Sequence, residues 1–158
     1  MASRLLSDAR PELAAKVRAL MEEYARRFAP WMLLITSVWR SPLEQEALYA
    51  QGRVASKTEL NAIRERAGLP PIYDEDEAHR VVTWVRNSRH NRTPSEAVDL
   101  AVALDPDGPH GPLKPRIDWQ SEARYEAMGE IAKRLGLVWG GDWKRRDLCH
   151  VEMPKEAA

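Results

Sequence analysis

The chain has 158 residues, 44% of them hydrophobic, and its 24 lysines and arginines balance 24 aspartates and glutamates. That length holds one domain with a proper core and is short for two, while a net charge of zero excludes a global field that would recruit nucleic acid or another polyanion, so any charge effect is local. A single cysteine, Cys149, excludes internal disulfides and cysteine-rich closed zinc sites.

The N-terminal stretch Met1 to Arg10 has no long apolar core and no small-residue cleavage pattern, and nowhere do about 18 consecutive apolar residues occur. We therefore expect a protein made in the cytoplasm, without signal peptide or membrane insertion, and monomeric. Leu13, Val17, Leu20, Met21 and Tyr24 recur at helical spacing behind Pro11, which predicts an amphipathic helix from Pro11 to about Arg27, stopped by Pro30. Met32 to Val38 is a short apolar run with β-branched residues and reads as a buried strand. Ser41-Pro42-Leu43-Glu44 combines an N-cap serine, a first-turn proline and a capping-box glutamate, and starts a helix through about Gln51. Arg40 stands at its mouth, either as an ordinary surface arginine or as a guanidinium aimed into a cleft.

Residues 54–80 read as an excursion from the domain. Ser56-Lys57-Thr58-Glu59 is a second capping box, the helix it starts should end at Gly68, and Pro70-Pro71 interrupts regular structure beyond that point. The acidic cluster Asp74 to Glu77 lacks the ligand spacing of a calcium loop and reads as a solvated helix start. Val81 to Val85 predicts a strand, Asn91 to Ser95 a turn with Pro94 as its rigid point, and Ala97 to Val102 another strand. In that second strand Asp99 falls on the face opposite Val98 and Leu100, where a carboxylate needs a partner or a metal. Asp105 to Asp118 holds four prolines and reads as a long surface loop. Tyr125, Met128, Ile131, Ala132 and Leu135 give a helix closed by Gly136, then strands at Leu137–Trp139 and Leu148–Met153 joined by a turn at Gly140 to Trp143.

Alternation in the last strand puts His150 and Glu152 on one face and Cys149 and Val151 on the other. His90, Asp99 and His150 together would make two imidazoles and one carboxylate, three zinc ligands with the fourth position open, which is the pattern of a catalytic rather than a structural site. Asp147, three residues before His150, is then the candidate general base, and Glu152 could orient His150 or touch substrate. Taken singly, the same residues also read as a loop histidine, a paired carboxylate and a core histidine, because the His90 to Asp99 spacing is not diagnostic. The basic runs Arg86-Arg89-Arg92 and Lys144-Arg145-Arg146 sit in no recognised nucleic-acid motif, so a nucleic-acid partner is not expected; attraction of another anionic polymer is the other reading.

Four segments carry a resemblance. Trp39 to Gln45 with Leu48 to Arg53, Val82-Thr83-Trp84 with Asn87 to Asn91, Pro94 to Asp99, and Trp139 to Trp143 with Asp147 to Glu152 resemble the zinc peptidases of peptidoglycan that include D-alanyl-D-alanine carboxypeptidases, D,D-dipeptidases and phage L-alanyl-D-glutamate endolysins. The resemblance implies an α+β fold with a small antiparallel sheet flanked by helices, of the kind shared with Hedgehog proteins. It implies one Zn2+ on His90, Asp99 and His150, Asp147 as acid/base, Arg40 on the scissile carbonyl, and Gln45, Ser88, Trp143 and Glu152 as substrate-binding or supporting residues. The His90 to Asp99 spacing is two residues longer than the family's commoner one, and residues 54–80 exceed its usual link. A small protein of this family without an export signal resembles an endolysin that reaches peptidoglycan from the host cytoplasm through a holin. The expected activity is hydrolysis of the L-alanyl-D-glutamate bond of the stem peptide, with D,D-carboxypeptidase or D,D-dipeptidase action as the alternative and a non-catalytic zinc-binding interaction domain as the reading from another class.

Overall fold

The computed structural model describes residues 2–108 and 111–156. Helix α1 spans Pro11–Phe28 with proline in its first turn, where the missing N–H is not needed. Leu13, Val17 and Leu20 on its inner stripe are fully buried, and each contributes about 1.5–3 kcal/mol by leaving water. Strand β1 comes next, at Trp31–Ser37. Helix α2, Pro42–Ala50, is capped as its sequence predicts: the Ser41 hydroxyl accepts from the Glu44 N–H at 3.1 Å. Ser56 does the same for Glu59 at the head of α3, Lys57–Arg66, and Asp74 for Glu77 at the head of the short α4, Glu75–Ala78. The acidic cluster is thus a helix start.

Strand β2 runs Ala97–Leu104, β3 Arg116–Ile117, helix α5 Glu122–Arg134, β4 Val138–Trp139 and β5 His150–Glu152. Gly136 lies just past α5 with φ +86°, the left-handed turn that glycine takes without a Cβ penalty. All pairings are antiparallel, in the order β1-β2-β5-β4, with β3 on β2. This is the α+β architecture expected. Helices α1 and α5 cover one face of the sheet. There Tyr24, Tyr125, Met128 and Ile131 pack with Leu33, Val98, Leu100, Val102 and Val151 in one apolar cluster.

The other face carries Asp99 and His150, because alternation sends them away from Val98, Leu100 and Val151. Register completes the placement. Asp99 stands opposite His150 across the β2–β5 pair and opposite Ser37 across the β1–β2 pair, so three polar side chains form a row over three strands. The shift in register between Ile35 and Ser37 brings Ser37 into that row, which is what a β-bulge does to a side chain beside a site.

Two expectations need correction. Val81 to Val85 is not a strand: its carbonyls at Thr83 and Val85 are taken by the side chains of Arg53 and Gln45, and Val82, Trp84 and Val85 are exposed instead of covered by a sheet. The apolar content that suggested a buried strand forms the wall of a cleft. The expected loop from Asp105 to Asp118 contains β3, two residues whose pairing with Ala103 and Leu104 extends the sheet edge; Pro109 and His110 of that loop lie outside the described residues. Within 54–80, α3 packs on α2 through the buried Leu60, while Arg64 donates to the Pro70 carbonyl at 2.7 Å and Asn61 exchanges hydrogen bonds with the Ile72 backbone. The excursion is an ordered unit with its own polar bracing.

Candidate metal centre

His90 belongs to a single 3-10 turn, Arg89–Asn91, capped by Ser88. The Ser88 hydroxyl accepts from the His90 N–H, and the Asn91 side chain reaches back to the Ser88 N–H at 2.8 Å. Ser88 therefore fixes the backbone of His90. The ring is fixed as well, because Nδ1 lies 2.7 Å from the Val38 carbonyl, an acceptor, and must donate to it. The Ser95 hydroxyl donates to that same carbonyl.

With its proton on Nδ1, His90 turns a lone pair outward at Nε2. That atom is buried, makes no hydrogen bond, and stands 3.2 Å from Oδ1 of Asp99. Two acceptors so placed repel unless a cation lies between them. His150 completes the group: its Nδ1 is 3.2 Å from the same Asp99 oxygen, and its Nε2 is 3.1 Å from Oε2 of Glu152. The donor atoms of His90, Asp99 and His150 all fall within 4.8 Å of one another. Two imidazole nitrogens and a carboxylate oxygen around a buried, unpartnered lone pair fit a zinc ion, and the set leaves a position open.

The supports of these candidate ligands are equally definite. Glu152 holds the Nε2 proton of His150, which leaves Nδ1 for the metal, and Arg89 holds Glu152 at 3.5 Å while pairing with Glu96 at 2.9 Å. Such partners set the tautomer and basicity of a ligating histidine. Trp143 lies against the His150 ring with centroids 4.9 Å apart. Gly140 is required by close approach: a Cβ there would meet the Asp147 carbonyl oxygen at 2.5 Å and the His150 Cβ at 3.1 Å.

Arg40 reaches the same place from the β1–α2 junction. Its Nη1 donates to Oε1 of Gln45 at 2.7 Å, its Nη2 to the Ser37 hydroxyl at 3.3 Å and to Asp99 at 3.5 Å, and its Nε is buried without a partner. Gln45 is fully buried and anchored to the Val85 carbonyl, so it supports Arg40 and does not face a ligand. Arg40, Ser88, His90, Asp99, Trp143, Asp147, His150 and Glu152 all line one cleft of about 370 Å3, which Val82, Thr83 and Val85 also line. Sequence reasoning missed Ser37, Val38, Arg89 and Ser95. Arg89 alone carried a signal, its place beside His90.

The electrostatics reflect this packing. Burial disfavours the Asp99 carboxylate, but the two imidazoles beside it, with the hydrogen bond from His150 foremost, outweigh it and hold the group well below its ordinary value. Burial likewise disfavours a charged His150, yet Asp99 and Glu152 raise it to about 9. Asp147 is raised by the crowding of the cleft and then by the charge of Asp99, although its residue surface is open to water. The Cys149 thiol, packed against the core, is pushed up to about 12 by burial and by the charges of Asp147 and Asp99, which makes it inert as a nucleophile.

An α+β sheet with a cleft and an open His-Asp-His centre defines a candidate metallohydrolase of the single-ion type. Comparison with known proteins narrows this. Residues 83–153, which carry all three candidate ligands and Asp147, match the family model described as D-alanyl-D-alanine carboxypeptidase. The chain is also 28% identical over 122 residues to the peptidoglycan L-alanyl-D-glutamate endopeptidase CwlK of Bacillus subtilis (strain 168), an alignment covering 77% of this chain and 60% of that relative. Over that region the chain is similar to D-alanyl-D-alanine carboxypeptidase-like peptidases; it spans less than two thirds of the length of the relative it matches. Among the described residues no helix is long and apolar enough to cross a membrane.

Proposed function

We propose that this protein is a zinc peptidase of peptidoglycan that hydrolyses the L-alanyl-D-glutamate bond of the stem peptide, acting as an endolysin does in phage release from the host cell. The observation that carries the reading is the unpartnered Nε2 of His90 facing Asp99, with the unliganded carboxylate of Asp147 in the same cleft. Zinc in that seat would supply Lewis acidity, polarising a carbonyl and acidifying water.

The chain's own residues do the rest. Asp147 takes the proton that water gives up as its oxygen bonds to the scissile carbon, and returns that proton to the departing amine nitrogen as the C–N bond breaks. Arg40, held by Gln45 and Ser37, presents a guanidinium to the oxygen on which negative charge develops. Asp147 and Arg40 in one cleft also argue against a purely non-catalytic zinc domain, which needs neither.

The family description and the relative's name point to different bonds. The relative aligns along 77% of the chain and the family model along residues 83–153 only, which favours the endopeptidase. Purified cell walls digested with the protein and analysed by mass spectrometry test this. We expect fragments with a new D-glutamate amino terminus, loss of lysis on chelation, and recovery with zinc at about one ion per chain. Release of terminal D-alanine alone would make the protein a D,D-carboxypeptidase instead.

Metal uptake should depend on pH in a stated direction. The folded-state value of His150 is raised from 6.5 to about 9, so its proton stabilises the metal-free fold fully below about 6.5, and that contribution is lost as pH rises through about 9. Zinc must displace this proton from Nδ1, so apparent affinity should climb about tenfold per pH unit toward about 9. Competition titrations with a coloured chelator between pH 6 and 8 would measure it. A flat profile would mean that His150 carries no proton to displace.

A further inference from the structure

Neither basic run forms a patch as the sequence suggested. Arg89 is consumed by Glu96 and Glu152, and Arg146 by Glu122 and Glu126. One arginine of each run instead joins Arg53 on a ladder of alternating guanidinium and aromatic groups beside the cleft. The Arg145 guanidinium lies 4.0 Å from the Trp84 ring centroid, Arg53 lies 5.6 Å from Trp84 and 3.9 Å from Tyr49, and Arg86 lies 5.6 Å from Tyr49.

Stacking of this kind fixes the plane of a guanidinium while leaving its N–H edge free for an oxyanion. Charge on the ladder is uncompensated. Arg86 has one partner, Glu46 at 3.4 Å, Arg53 spends two hydrogen bonds on backbone carbonyls, and Arg145 has no ion pair or hydrogen bond among the described residues. Three cations therefore face one carboxylate on an exposed surface of a chain whose formal net charge is zero.

The position says which anion this suits. Trp84 lies between Thr83 and Val85, and Arg145 is two residues from both Trp143 and Asp147; these four residues all line the cleft. The Arg145–Trp84 stack thus joins two segments that line the cleft, at its rim. An anion held there belongs to the molecule whose bond lies in the cleft.

We propose that the rim ladder of Arg145, Trp84 and Arg53 is a substrate subsite that binds a carboxylate of the peptide away from the bond being hydrolysed, selecting acidic over amidated peptides. The proposal rests on the peptidase reading above and adds to it the class of substrate preferred. A planar guanidinium fork matches a carboxylate in two-point contact, and contacts at an exposed rim act through binding more than through turnover.

The test compares synthetic L-Ala-γ-D-Glu-L-Lys-D-Ala as the free acid with versions amidated at each carboxylate in turn. We expect one amidation to lower kcat/KM by about fivefold through KM, the size of an exposed charge contact. Arg145→Ala and Arg53→Ala should bring that ratio close to one, with Arg145→Lys intermediate because it keeps the charge and loses the fork. Variants that keep the wild-type ratio would overturn the subsite, as would equal losses on acid and amide with a lowered Tm, which would make the ladder a brace.

Should the wild type cleave none of these peptides, the peptidase reading fails separately. The subsite is then judged by NMR, tracking the Trp84 indole resonance assigned with Trp84→Phe. A shift with the free acid and none with the amide supports it. No shift with either, or a shift only with poly(glycerol phosphate), overturns it.

Discussion

Replacing Asp99 by alanine is expected to remove zinc binding, with apparent affinity lowered by more than about a hundredfold, beyond the 10–100-fold typical of losing a supporting partner. Asp99 Oδ1 is the atom that both imidazoles share, 3.2 Å from each. The carboxyl is held ionised, so it would be available as a ligand throughout the working pH range. Zinc present at about a hundred times its Kd stabilises a fold by about 2.7 kcal/mol. Wild type should therefore melt higher with zinc than without, and Asp99→Ala should show no such increment. In the metal-free state the variant should also melt below wild type, because Arg40 and His150 lose their counter-charge. The sign with pH is set by the depressed carboxyl: its stabilisation is complete above the ordinary carboxylate value of about 3.9 and is lost as pH falls toward the folded one. The two metal-free proteins should converge in acid. A variant that takes up zinc like wild type would dissolve the proposed centre.

Much of this arrangement could be read from local pattern. Helical spacing located α1 and α5, serine caps located the starts of α2 and α3, an acidic cluster marked the start of α4, and strand alternation put Asp99 and His150 on the face away from the core. Such signals are local, and each is decided within a few residues. What could not be read depends on pairing between distant segments. The row Ser37, Asp99, His150 exists because of a register and a bulge that no single strand encodes. The Val38 carbonyl that sets the His90 tautomer comes from 52 positions away. Val81 to Val85 misled because apolar, β-branched content signals burial without saying against what; here it builds a cleft wall whose carbonyls are met by Arg53 and Gln45. The basic runs misled for the opposite reason: neighbours in sequence point to different partners, and the arginines that do meet come from three separate segments.

Asp147→Asn is expected to leave zinc content near wild type and to lower kcat on wall fragments by about 10²- to 10⁴-fold, the range a positioned acid or base supplies. Asparagine keeps the size of the side chain and can neither accept a proton from water nor return one to an amine. The fold should not notice. Asp147 is tied in place by its backbone, its N–H donating to the Gly140 carbonyl at 2.9 Å and its carbonyl accepting from the His150 N–H at 3.2 Å, and its residue surface is open to water. The pH profile separates this role from others. Crowding and the charge of Asp99 raise the Asp147 carboxyl, so wild-type kcat/KM should fall, as pH is lowered, at a point above that of an ordinary aspartate. That limb should vanish in the variant's residual activity, leaving only the loss of metal at low pH. Zinc lost together with activity would make Asp147 a ligand. Full activity with zinc retained would take it out of the chemistry and leave the proton transfer to Glu152, the other carboxylate in reach of the centre.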